Sequence, residues 1–164
     1  MNTGQMMLTI GALLLLSTTM LRVNSNNMMN ETFRNEAQFG LLATSIATSI
    51  IEEAKSKAFD EATDTISVSS FKELTSVNNL GPDLGETDIT FNDFDDFDGY
   101  STVDSTMPSA VFNILCEVDY VTTSNLQESS NKVTWHKKIT VTVASAFMAD
   151  TIKTSSIYSY WFFR

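Results

Sequence analysis

Asp93, Asp95, Asp96 and Asp98 fall within six residues, and they form the densest set of side chains in the sequence able to do chemistry. Carboxylates this close together supply the hard oxygen ligands that Ca2+ prefers. The EF-hand register is not kept, since Gly99 at loop position six would put Phe94 at position one and Ser105 at position twelve. Two readings of the segment compete: a loop that holds Ca2+ on these aspartates, and a solvated acidic loop pinned to the body by Phe91, Phe94 and Phe97. His136 follows Trp135 in an alternating segment and is expected at the surface, while Cys116 is expected inside as a small buried hydrophobe. One His and one Cys exclude a multi-thiolate metal site and an intramolecular disulfide framework. The sequence has no P-loop, dinucleotide fingerprint, nucleophile elbow or HExxH motif. The expectation is therefore no catalytic residue, no enzyme activity, and no cofactor apart from Ca2+.

Charge narrows the partners. The 164 residues carry a net charge of -10. Nucleic acid is excluded as a partner, because phosphate binding needs clustered Lys and Arg. The distribution is uneven: residues 61 to 131 set Lys72 alone against fourteen acids, whereas the last 33 residues set five basic groups against Asp150. An acidic middle and a basic tail make a head-to-tail contact plausible, with Lys137, Lys138 or Lys153 of one copy facing the acids of 83 to 98 in another.

The elements that position these residues start with an uncharged run from Met6 to Leu21, closed by Arg22. Sixteen helical residues reach about 24 Å, slightly less than the roughly 30 Å hydrocarbon core of a bilayer. A secretory signal would need a basic n-region, which MNTGQ lacks. The run reads as a helix that rests in membrane before assembly and is then buried among copies of itself. Beyond the polar patch at 24 to 30 helical periodicity returns over 31 to 59, and if that patch is bent or melted but not a domain boundary, residues 5 to 59 form one rod of about 80 Å. The tetrapeptide ATSI occurs twice in succession there, so small residues recur four apart, a spacing that lets helices approach closely. Met7, Ile10, Leu13, Leu14, Leu16, Leu42, Ala43, Ile46, Ala47 and Ile50 are the expected assembly face. Asn30-Glu31-Thr32 satisfies the glycosylation sequon where helices are expected to pack.

After Thr63 the helical pattern stops. Residues 64 to 71 suggest a short strand, and 87 to 108 read as a long loop. Residues 110 to 122 alternate with Phe112, Ile114, Cys116, Val118 and Tyr120 on one face, and 133 to 143 with Val133, Trp135, Ile139, Val141 and Val143. The two are expected to form an antiparallel hairpin, followed by a last strand over 151 to 163. The expected fold is α+β, a long N-terminal α-helix with a C-terminal antiparallel β-sheet packed on its second half. Residues 1–60 form the helix, and residues 61–164 a β-rich head with the acidic loop at 83–98.

This layout resembles the type IV pilin superfamily, in particular its minor prepilin and pseudopilin-like members. The segment from Phe91 to Tyr100, FNDFDDFDGY, is similar to an acidic stretch of minor prepilins related to the mannose-sensitive haemagglutinin pilus. Lys138 to Val143, KITVTV, resembles the strand that follows it in those proteins. The resemblance implies a structural subunit of an extracellular cell-surface filament. Its partners would be other copies of itself, the inner membrane before assembly and a pilus-type assembly machinery. Family members are processed after a Gly that ends a basic leader, and carry Glu at the fifth position beyond it. Gly4 occupies the processing position, but Thr9 stands where that Glu is expected and no acid precedes Glu31. The mature chain is accordingly expected to keep Met1 or to lose at most a few residues. Two alternatives stand beside the filament subunit: a membrane-anchored minor pseudopilin, and a signal-anchored surface domain binding Ca2+ in its acidic loop.

Overall fold

The computed structural model describes residues 2–107 and 110–160. Helix α1 runs from Thr3 to Ser56 without interruption, so the polar patch at 24 to 30 is helical. No proline falls in the segment. The threonines that would weaken it are satisfied internally, with Thr18, Thr19, Thr32, Thr44 and Thr48 donating to carbonyls three or four residues back. Lys55 in the last turn complements the helix dipole.

Two compact units divide the chain, Met1–Gln38 and Phe39–Arg164. The boundary lies well before residue 60, because the C-terminal part of α1 shares a core with the sheet. In the first unit Gly4 sits in the first turn of α1, and no described residue is buried.

The second unit is α+β. After α1 come a short helix α2 (Glu61–Thr65), two 3-10 turns at Val77–Asn79 and Asp95–Phe97, and four strands. These are β1 (Ser101–Asp104), β2 (Phe112–Tyr120), β3 (His136–Ser145) and β4 (Ile152–Ser159), an antiparallel sheet in the order β1-β2-β3-β4. Cys116 pairs with Val141, Val118 with Ile139, and Tyr120 with Lys137, which fixes the expected hairpin. The inward side chains of β2 and β3 meet Ala43, Ala47, Ile51 and Ala54 of α1 in one core. Their spacing of four, four and three residues is one stripe of an α-helix.

Several boundaries differ from the sequence-based expectation. Residues 64 to 71 form no strand. Asp60 caps α2 instead, accepting from Ala62 N–H while Thr63 Oγ1 accepts from Asp60 N–H, and Glu61 and Asp64 favour the helix start. Strand β1 lies inside the expected long loop, which Gly99 leaves at φ +72°. Val103 is the only strand-forming aliphatic side chain in β1 and is exposed, so an edge strand of this kind has little hydrophobic signal. The last strand ends at Ser159. Met1 and the expected strand residues Trp161, Phe162 and Phe163 lie outside the described residues.

Candidate functional site

Two features of the molecule have chemical or associative potential: the surface of α1 and a buried ionic cluster in the head. Along the first unit the apolar side chains lie open, Met7 at 77% and Leu13, Leu14 and Leu16 each above 60% exposure, with Ile10 at 52%. A window of this helix has a mean hydropathy of 1.7 and no buried residue, which makes α1 long and apolar enough to cross a membrane.

The other half of the expected assembly face is used differently. Ala43 and Ala47 are fully buried under their own sheet, and Leu42, Ile46 and Ile50 pack against the same core. These two alanines of the expected assembly face thus lie in the core shared with the sheet. Thr44, Ser45, Thr48 and Ser49, from the same two ATSI repeats, are exposed.

The acidic loop is exposed over 87–90 but turns inward from Phe91. Asp93, Asp95 and Asp96 are buried together with Phe91, Phe94 and Phe97. The aromatics anchor the segment as expected, and they carry the carboxylates in with them. A backbone bridge joins it to the exit of α1, where Ala58 N–H donates to Asn92 O at 3.2 Å and Phe94 N–H to Ala58 O at 2.9 Å. Asp96 Oδ2 accepts from the N–H groups of Asn92 and Asp93, and Asp93 Oδ1 from those of Asp95 and Asp96. Asp98 Oδ1 accepts from Val118 N–H at 2.8 Å, tying the loop to β2. The carboxylates thus organise backbone. Among the described residues, no group of three or more His, Cys, Asp or Glu is arranged to hold a metal ion.

Lys137 brings the cluster together. It is fully buried, and its Nζ donates to Phe59 O at 2.9 Å, to Asp60 Oδ2 at 2.7 Å and to Asp95 Oδ1. The rings of Phe59 and Tyr120 lie 4.8 and 5.3 Å from the nitrogen. Asp60 is saturated with donors: Ala62 N–H, Thr75 N–H and Oγ1–H, and the Tyr120 hydroxyl besides Lys137. Burial and the neighbouring Asp95 and Asp96 push the Asp93 carboxyl up to about 8, and burial raises Asp95 against the pull of Lys137. One ammonium among four buried carboxyls cannot neutralise them all, and burial keeps a proton on Asp93 well above the ordinary carboxylate range. The Cys116 thiol, buried as expected, is pushed up to about 12 by desolvation.

Of the three lysines expected to face the acids of another copy, the geometry withdraws Lys137 alone. Lys137 is spent inside its own subunit, Lys138 Nζ donates to Gln127 O, and Lys153 lies 3.9 Å from Glu117 in an exposed pair of small energetic value. His136 is half-exposed and its Nδ1 lies 2.7 Å from Ser159 Oγ. Lys137, expected at a contact between copies, is instead the centre of the buried cluster, and Asp60 is not among the residues the sequence singles out. Period-two alternation places Lys137 inward between Trp135 and Ile139, which was the available signal. Asp60 had only the Asp-x-x-Thr capping pattern. Comparison with protein-family models, with curated proteins and with solved structures found no match.

Proposed function

We propose that this protein is the structural subunit of an extracellular, pilus-like filament of the type IV pilin kind. It is held in the inner membrane before assembly and polymerises with its own copies, through its N-terminal helix, on a pilus-type machinery. The observation that carries the reading is the open apolar surface of α1 in residues 2–38, where nothing is buried. Apolar surface left in water costs about 25 cal/mol per Å2, so a surface of this kind calls for lipid or for other helices. A helix that satisfies its backbone internally can exchange one for the other without breaking hydrogen bonds.

A second reading, a minor membrane-anchored subunit, is supported by the same hydropathy. Negative-stain imaging of the native cell surface, with mass spectrometry of any fibre, separates the two. The filament reading expects this chain as the repeating component of a fibre. Recovery of the chain in membranes alone, with no fibre containing it, would remove the filament reading and leave the anchored one.

A further inference from the structure

The cluster around Lys137 brings a buried amine against a buried carboxyl, and nothing in the filament reading uses it. We propose that Lys137 and Asp95 are the site of an intramolecular isopeptide bond, formed by the protein itself, that ties β3 to the acidic loop. The inference is independent of whether the protein assembles into filaments.

The geometry supplies each part of an amide condensation. Lys137 Nζ has three acceptors, Phe59 O, Asp60 Oδ2 and Asp95 Oδ1. Of the two carboxyls, Asp95 is the electrophile. Asp60 already accepts hydrogen bonds from Ala62, Thr75 and Tyr120, so both its oxygens are engaged and it is held in place as the neighbouring acceptor. The Asp95 carboxyl has no backbone donor among the described hydrogen bonds, and burial favours its neutral form. The site is dry, with Lys137 and Asp60 fully buried, Asp95 at 3% and Asp93 at 2% exposure, under the rings of Phe59 and Tyr120. Burial favours the protonated form of Asp95, the acid of the reacting pair.

The step balances without a co-reactant. The ammonium proton directed at Asp95 passes to that carboxylate, which frees the nitrogen lone pair in the direction of the Asp95 carbon. Nitrogen attacks Cγ and the C–N bond forms. Asp60, 2.7 Å from Nζ, takes a second proton from nitrogen and returns it to the departing hydroxyl, so the C–O bond breaks and water leaves. Asp93 Oδ1 accepts the N–H groups of Asp95 and Asp96, which holds a second buried carboxyl beside the reacting one. Held in contact by the fold, the two groups gain the rate advantage of an intramolecular reaction.

The test is the intact mass of the purified full-length chain under denaturing conditions, with peptide mapping. The expected result is a chain lighter than its sequence by one water, with a branched peptide joining the segments that carry Lys137 and Asp95. Lys137→Arg and Asp95→Ala should restore the full mass, and Asp60→Asn should slow the loss of water while leaving both bonded partners in place. Wild-type protein at full mass overturns the proposal, whatever the variants do. Loss of water within a single peptide containing Asp98-Gly99 also overturns it, because a cyclic imide at that dipeptide removes the same mass. A branch at Asp60 contradicts the assignment of electrophile and base made here.

Discussion

Lys137 is the residue on which the head depends most. Removing one partner of a buried charge network leaves the others uncompensated, at a cost of about 3 to 5 kcal/mol. Lys137→Met should therefore lower the unfolding midpoint of the full chain by roughly 6 to 20 °C, using about 2 to 4 °C per kcal/mol for a protein of this size. Thermal unfolding followed by circular dichroism checks it, and an unchanged midpoint would show that the lysine carries little of the stability. Asp93 acts in the opposite sense. Its carboxyl is held protonated up to about 8 in the folded chain, while the unfolded group ionises near the ordinary carboxylate value. The folded state then binds more protons between those two values, so this residue's contribution to stability falls as pH rises from about 4 to about 8. Asp93→Asn removes the ionisation and retains an acceptor for the Asp95 and Asp96 N–H groups. The variant should be more stable than wild type at pH 8, and the difference should shrink toward pH 4. A constant difference across that range would contradict the assignment. The cluster was only partly legible in the sequence. The density of Asp93, Asp95 and Asp96 was visible, but their burial depends on a lysine distant along the chain and on Asp60, which backbone topology alone brings together.

At the scale of elements, α1 carries two kinds of surface on one continuous helix. Ala47 is fully buried where the sheet meets it, so Ala47→Leu inserts bulk into a packed contact and should destabilise the head by about 1 to 3 kcal/mol. Ser45 lies on the exposed side, and Ser45→Leu should leave the unfolding midpoint within the range of a surface change, about 0.5 kcal/mol. Equal effects in chemical denaturation would mean that the stripe of alanines is not the helix–sheet seam. The hairpin β2–β3 was readable because both strands alternate over most of their length, with Phe112, Ile114, Cys116 and Val118 facing Ile139, Val141 and Val143. β1 was not readable, since it is a short edge strand whose Val103 points to solvent. Residues 64 to 71 misled through local β-propensity. The capping box at Asp60 and Thr63 and the absence of a pairing strand decided their conformation. Of the two ATSI repeats, Ala43 and Ala47 are buried under the chain's own sheet.

For the whole molecule, the account separates the source of cohesion from the source of stability in the head. Helix burial should hold any fibre together, while exposed ion pairs such as Lys153 with Glu117 contribute about 0 to 1 kcal/mol and are screened by salt. Fibres are expected to persist, by electron microscopy, in about 1 M salt, where the Debye length has fallen to about 3 Å. Their dissolution there would make electrostatics the main cohesive term. The central claim is that the apolar part of α1 drives self-association. Its most direct test is fibre formation by the purified full-length chain on detergent removal, wild type beside a Leu13→Glu/Leu14→Glu variant, with head unfolding monitored in both. The account expects fibres from the wild type, none from the variant, and the same unfolding midpoint for the two heads. Fibres of normal yield from the variant, or a wild-type chain that stays monomeric when detergent is removed, would contradict it.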